Sequence, residues 1–534
     1  MKYSSLTNSK LLPAFSRISL VVLFIAVGCT NISSQPLTSA QIDALAERTL
    51  KTFDVPGIAV AVIKDGKVIH SKGYGVRSLN TGQKVDENTL FGIASNSKAF
   101  TAATLGILID EGKLKWDDKV IDFIPEFRMY NPYVTSEFTI RDLLTHRSGL
   151  GLGAGDLMFW PDSSDFTIND IIHNLRYLKP VSGFRTKYDY DNLLYMVAGE
   201  VVSRVSGKSW EAFAEERIIQ PLQMTHTAAN WFRLKDTGNV IDAHCPVNGK
   251  VQVIKRDMNT TLSSAGGIYS SIADLSKWLL MQLNHGKYGE GLGKQLFSEA
   301  VQNEMWSPQT IIPVNTTPPY NQHFSAYGLG WGLSDVKGYK QIGHTGGLAG
   351  MVTQITMLPE LQLGIIVLTN QQSGAAFGAI TNTIKDGYLG IPATDRVKIN
   401  SDRMKAAQAD ADKITADVWA AIAEAQKNNK AKPDLAAFTG TYKDDWFGDI
   451  YISLVSDRLS FRSKRSPRLR GKMEHYKGSS FIVKWDDRSF DADAFITYQL
   501  DPDGKGESFK MKAISPLTDF SFDFHDLDPR RINK

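Results

Sequence analysis

Ser95-Asn96-Ser97-Lys98 places a hydroxyl and an amine three residues apart, at the start of a long helical pattern. Residues three apart on a helix lie on one face. A serine hydroxyl is a poor nucleophile near neutral pH until a base takes its proton. A lysine withdrawn from water can be that base, because burial lowers the pKa of an ammonium. The pattern recurs by chance in many chains, so its surroundings decide whether it carries chemistry.

The elements that must position it are legible. Ile58–Ile63 and Lys67–Tyr74 flank Asp65-Gly66, a strong hairpin signal. Phe91-Gly-Ile-Ala-Ser95 follows, and then a helix with Phe100, Ala103, Ile107 and Leu108 on one face and Gly112 to stop it. Further helices are expected at 139–145, 167–176, 192–205, 209–217, 272–285 and 373–386, and strands at 352–358 and 362–369. A sheet assembled from both ends of this region, with a helical insertion between, is an α/β or α+β layer architecture. From Asp395 to Lys432 the composition turns to Ala, Lys, Asp and Glu, and the run Arg403–Lys427 reads as a linker helix. Strands expected at 450–454, 459–461, 480–485, 494–500, 508–514 and 521–525 then suggest a small antiparallel barrel or sandwich. The expected division is 1–29 leader, 30–392 catalytic domain, 393–432 helical linker and 433–534 β domain.

Two more motifs follow the first in order. Tyr190-Asp191-Asn192 stands directly before a helix, and His344-Thr345-Gly346-Gly347 directly before a strand pair. With all three in sequence, the chain resembles the serine penicillin-recognising hydrolases: class C β-lactamases, DD-peptidases, D-aminopeptidases and related esterases. Leu144-Thr-His-Arg-Ser-Gly-Leu150, Ala265-Gly-Gly-Ile-Tyr269 and Tyr327-Gly-Leu-Gly-Trp-Gly332 strengthen the resemblance, which covers about residues 38–390. It implies a catalytic domain of β-lactamase/transpeptidase-like fold, an antiparallel sheet flanked by helices, with a helical subdomain. It also implies that Ser95 attacks an acyl carbon and that Lys98 and Tyr190 handle its proton.

The phenol of Tyr190 has an unperturbed pKa of ~10. Beside an ammonium its phenolate is favoured, so it can act as base and later as acid. Which of Lys98 and Tyr190 is the resting base stays open, because coupled groups share their titration. Asn192 can hydrogen-bond Lys98 and a substrate amide. The family's oxyanion hole implies the backbone N–H groups of Ser95 and Gly347. His344, followed by Thr345 and Gly346, departs from true β-lactamases, which carry lysine there. A histidine is mostly neutral at pH 7. This suits an ester, an amide or a peptide end better than a carboxylate-bearing β-lactam. Each residue also has a plain structural reading: Ser95 as a helix cap, Tyr190 as a core aromatic, His344 as a turn histidine, and His146 as a hydrogen-bonded support.

The bulk numbers bound the alternatives. The chain has 534 residues, 42% hydrophobic and 22% charged, enough for two or three domains. Its net charge is +3, with no basic surplus of the kind nucleic-acid binding needs. The run from Arg462 to Arg470 reads as a solvated strand edge and turn. Basic residues precede an apolar stretch from Ile18 to Gly28, ending at Cys29, as in a bacterial lipoprotein signal. Export to the periplasm is therefore expected, with a lipid anchor at Cys29. Cys245 is then alone, excluding a disulfide framework. No G-x-S-x-G elbow and no H-E-x-x-H cluster occurs, so neither an α/β-hydrolase nor a zinc enzyme is expected, and no cofactor.

Overall fold

The architecture comes from a computed structural model that describes residues 35–314, 316–427 and 433–532. The expected leader at 1–29, with Cys29, lies outside the described residues. Among them, no helix is long and apolar enough to cross a membrane.

The first domain is built on an eight-stranded antiparallel sheet. Its strands are β1 (Gly57–Lys64), β2 (Lys67–Gly75), β3 (Thr310–Ile312), β4 (Ser325–Tyr327), β5 (Gly332–Val336), β6 (Tyr339–Leu348), β7 (Met351–Leu358) and β8 (Leu363–Thr369). The order is β2-β1-β8-β7-β6-β5-β4-β3, so the two ends of the domain meet where β1 pairs with β8. The continuous apolar run of β1 follows from burial on both faces. Ile58, Val60 and Val62 face a layer containing α1 (Ser39–Phe53) and the later helix at 374–388. Ala59, Ala61 and Ile63 face the opposite layer, where Phe100 of α2 (Ser97–Asp110) stacks on Trp278 at 4.1 Å. The period of two in a strand makes this division possible.

The helical insertion contains α3 (Leu193–Ser206) and α4 (Ile272–Leu283). After β8 come α5 (Gly374–Tyr388) and α6 (Arg396–Lys427). The linker helix begins at Arg396, seven residues before the helical run Arg403–Lys427 read from the sequence. Its first turns are not a free linker: Val397 is buried with the core, and the Arg396 Nε donates to Asp386 at 2.7 Å. Near its end, Ile422 packs on Ile482 and Ile514 of the last domain.

That domain is a closed eight-stranded antiparallel barrel rather than a sandwich: β9 (Gly440–Asp444), β10 (Gly448–Val455), β11 (Arg458–Ser463), β12 (Arg470–Lys477), β13 (Ser480–Trp485), β14 (Ala494–Leu500), β15 (Gly506–Ala513) and β16 (Arg530–Ile532). The strand expected at 521–525 does not form. Phe522 and Phe524 alternate into the core as a strand would, but the segment is irregular and ends in a short 3-10 turn, Phe524–Asp526. Ser521 and Asp523, on the other side, are buried against the first domain. The basic run is also more than a solvated edge. Arg465 lies 3.8 Å over the Phe166 ring and pairs with Asp165 and Asp170 across the domain boundary.

One close approach governs the site. The turn carrying Ser95 lies against β6 at Gly346. A Cβ there would meet the Ile93 carbonyl oxygen at 2.3 Å, Thr353 Oγ1 at 2.6 Å and Ala94 Cβ at 2.9 Å. Gly346→Ala is therefore expected to destabilise the protein by about 1–3 kcal/mol, as overpacking against fixed backbone does. Urea unfolding measures this; an unchanged midpoint would mean that the strand does not rest on the turn.

Candidate active site

Ser95 lies in a 3-10 turn, Ala94–Asn96, that runs directly into α2. Ala94 has φ 50°, in the left-handed region that costs a residue with a Cβ roughly 1–2 kcal/mol. Surrounding bonds hold the turn there. Asn96 Nδ2 donates to Thr353 Oγ1 at 2.8 Å, and Thr353 Oγ1 donates to the Ile93 carbonyl at 3.0 Å. Neither Asn96 nor Thr353 stood out in the sequence as a site residue.

Lys98 follows one turn on. It is fully buried, since α2 is apolar on nearly every side. Its three N–H donors meet three acceptors: Ser95 Oγ at 3.1 Å, Asn192 Oδ1 at 2.7 Å and the Ala265 carbonyl at 2.9 Å. Burial pulls its pKa from 10.5 down to about 7, although the buried carboxyls of Asp156 and Asp191 act to raise it. Burial likewise pushes Asp191 up to about 7, against donation from Ser148 Oγ at 3.0 Å. Asp156 is driven well above the usual carboxylate range by burial, while bonds from Ser521 and Asn192 pull it back.

Tyr190 sits just before α3. Its ring lies 4.8 Å from Lys98 Nζ, and the nearby Ser95 hydroxyl acts to lower its pKa. Burial raises it well above 10, so the phenol keeps its proton. The phenolate weighed from the sequence is thus the disfavoured form, and near neutrality Lys98 is the group that can be found without its proton. Tyr188, which competes for the same role by type, instead stands edge-on to His146 at 5.6 Å and near Tyr327 at 5.8 Å. His146 supports the motif. Its Nδ1 accepts from the Asp191 backbone N–H at 3.0 Å, which leaves a neutral ring beneath Tyr190, 4.2 Å between centroids.

Residues 344–348 extend β6 beyond its partner β5 and pair only with β7. Their free edge opens on the cleft, with His344, Thr345 and Gly347 in its lining and Gly346 turned to the Ser95 turn. The His344 Nδ1–H donates to the Thr345 carbonyl at 2.5 Å, so Nε2 is the acceptor for the Tyr327 hydroxyl at 2.9 Å. Burial and the neighbouring Lys98 push His344 down to about 3, and the ring is neutral at any physiological pH. Cys245 and His244 stand apart from this site. Cys245 is buried, and His244 bonds the Asn370 carbonyl at 2.9 Å and the Leu79 N–H at 3.2 Å.

The structure therefore lines one cleft of about 590 Å³ with Ser95, Tyr190, Asn192, His344, Thr345 and Gly347, and Lys98 lies buried behind Ser95. Its wall is largely apolar and aromatic, with Leu152, Phe159, Trp160 and Phe520 among the contributors. Among the described residues no lysine or arginine lines it, and Asp519 is its one carboxylate. Sequence reasoning missed Asp156, which shows no local pattern, and Tyr327, which stood inside a quoted motif without a role. It also missed the barrel residues 519–521, which lie 327 to 329 positions after Asn192 in the chain but line the same cleft.

Comparison with known proteins shows the family and the fold. The Beta-lactamase family model matches residues 42–387, more than half of the chain, and the chain belongs to that family. A domain of unknown function, DUF3471, matches residues 424–531, the end of α6 and the barrel. The chain is 29% identical over 432 residues to unguisins hydrolase ungD of Aspergillus violaceofuscus, covering 76% of this chain and 75% of that one. It is 28% identical over 352 residues to Protein flp of Staphylococcus aureus, covering 64% of each, so it spans just under two thirds of that relative. Among solved structures, the octameric penicillin-binding protein homologue from Pyrococcus abyssi aligns with a TM-score of 0.59 at 19% identity, over 90% of this chain and 99% of that one. SurE aligns at 0.53 and 16%, over 92% and 99%. Both share the fold.

Ammonium Lys98 cannot accept a proton, so reaction at Ser95 is expected to rise as pH passes through about 7 and to level off above it. The limb belongs to the coupled Lys98–Asp191–Asp156 group rather than to one residue. His344→Gln is expected to leave its midpoint in place. The rate of fluorophosphonate labelling across pH 5–9 measures both; a limb that moves with His344 would assign the titration to the imidazole.

Proposed function

We propose that this chain is a serine acyl hydrolase that cleaves amide or ester bonds through a Ser95 acyl-enzyme. The contact between Ser95 Oγ and a fully buried Lys98 Nζ at 3.1 Å carries the reading. Neutral Lys98 takes the Ser95 proton as Oγ attacks the acyl carbon. The oxyanion lies between the backbone N–H groups of Ser95 and Gly347; one preset donor there is worth about 2.7–4 kcal/mol. Protonated Tyr190 gives its proton to the departing amine or alkoxide and is reprotonated from Lys98. Water then attacks the acyl-enzyme, losing a proton to the same pair, and Ser95 regains its hydrogen.

The cleft favours acyl groups that are uncharged and largely apolar. With His344 neutral and, among the described residues, no cation in the lining, nothing described there would pair with a substrate carboxylate. That ranks a peptidase- or esterase-like activity, of D-aminopeptidase or esterase type, above a class C-type β-lactamase or DD-carboxypeptidase. The hydrolase name of the 29% identical fungal relative supports the same class. A non-catalytic penicillin-recognising protein would have no need of a satisfied, partly neutral lysine beside the serine. The basic and apolar pattern before Cys29 supports an exported, lipid-anchored protein that works in the periplasm on peptides or esters.

A fluorophosphonate or fluorescent penicillin is expected to label Ser95, and Ser95→Ala to reduce labelling to background; equal labelling of the two would remove Ser95 from the role. His344→Lys is expected to raise acylation by carboxylate-bearing β-lactams about tenfold or more, a charge pair gained in a desolvated cleft. No gain, measured by stopped-flow acylation, would undercut the charge argument for substrate choice.

A further inference from the structure

The barrel does not stop at the edge of the first domain. Its segment 519–523 reaches the back of the cleft and bonds to the strip Gly153–Asp156. The Gly155 N–H donates to Asp523 at 2.6 Å. Phe520 stands edge-on to Tyr190, with centroids 5.8 Å apart. Gly153 lies so close beneath that a Cβ would meet Phe520 Cδ2 at 2.7 Å, and its own N–H donates to the Tyr190 carbonyl at 2.8 Å. Ser521 Oγ donates to Asp156 Oδ2 at 2.8 Å. The same oxygen accepts from Asn192 Nδ2 at 2.8 Å, and Asn192 Oδ1 accepts from Lys98 at 2.7 Å.

We propose that Ser521, on the barrel, is a positioning residue for Lys98, acting through Asp156 and Asn192, so that the barrel is a working part of the active site. The inference rests on the acyl-enzyme reading for its consequence in rate, but not for its effect on Lys98. The chain of donors has one sense. Asp156 accepts from both Ser521 and Asn192, which fixes the Asn192 amide with its oxygen towards the ammonium. Asp156 is fully buried and, among the described residues, has no cation in contact and no partner for its second oxygen, Oδ1. The Ser521 hydroxyl is thus one of two donors that lower this carboxyl against the burial that raises it. An ionised Asp156 favours the ammonium form of Lys98.

Other charged and titratable groups face the pair. Asp191, His146, His344, Tyr190 and Tyr195 surround Lys98, and Asp191 and Asp523 act on Asp156. None of them replaces the Ser521 bond. Without it, Asp156 ionises less readily and the neutral form of Lys98 gains, so the acid limb moves to lower pH. The Asn192 amide also loses its fixed sense, so the plateau rate falls.

The test compares the full-length parent with Ser521→Ala and Ser521→Thr. Fluorophosphonate labelling of Ser95 is followed across pH, alongside Lys98 titration by NMR of 13Cε-labelled lysine and thermal unfolding. Ser521→Ala is expected to lower the plateau labelling rate about tenfold, a misplacement effect. It is also expected to shift the limb and the Lys98 midpoint down by roughly half a pH unit, with Thr restoring both. Parental rate and midpoint in Ser521→Ala would overturn the proposal. So would a slower rate with an unmoved midpoint and a matching loss of thermal stability, which marks a merely structural contact. Should the parent itself fail to label, the acyl-enzyme reading falls, and the Lys98 midpoint still decides the role of Ser521.

Discussion

A lysine amine buried out of reach of solvent is the constraint on which the rest of this structure depends. Lys98 sits on a helix that is apolar almost all round, where a charged group is ordinarily excluded. It is tolerated because each of its N–H bonds has an acceptor and because two carboxyls stand nearby without touching it. The balance matters more than either side. Direct ion pairing would hold the proton on lysine; full isolation would strip it off well below neutrality. Asn192 separates the nitrogen from Asp156, so the opposing effects leave the pKa near 7, where a base serves best.

The packing around the serine answers a second demand, that a hydroxyl, an amine and a strand edge share a few ångströms. Helix α2 fixes the first two. The third requires β6 to lie on the Ser95 turn, which Gly346 permits and Thr353 and Asn96 secure. The left-handed Ala94 is held by the same contacts, local strain of the kind that persists only where the surroundings determine the conformation. The sheet beneath is covered on both faces and offers little room to relax, so the geometry is set before any substrate arrives.

Much of this was legible in the sequence for physical reasons. Asp65-Gly66 between apolar runs specifies a hairpin whatever surrounds it, and the three short motifs carry residue types that only make chemical sense together. His344 was read as neutral from its free pKa, and burial moves it further in the same direction. What stayed hidden depends on contacts between distant segments. Asp156 has no neighbouring pattern, and its partner Ser521 is 365 residues away. The alternation through Ser521–His525 did describe which residues face the barrel core, Phe522 and Phe524, but not that the opposite side is buried too. Periodicity reports one covered face; a segment clamped between two domains has both covered and need not stay extended. The early start of α6 was missed similarly, since only packing on α5 and Asp386 distinguishes its first turns from a solvated linker.

The barrel thereby changes meaning, from an appended module to a wall of the cleft, and in our proposal it also positions the residues that would handle the proton. The proposed preference for apolar acyl groups, a neutral His344 and a buried Lys98 form one consistent picture, in which desolvation would set both reactivity and choice of substrate. The titration of Lys98 itself, followed by NMR of 13Cε-labelled lysine in the intact protein, tests that picture most directly. A midpoint near 7 is the result the buried environment requires; a midpoint near 10.5, the ordinary value, would contradict it.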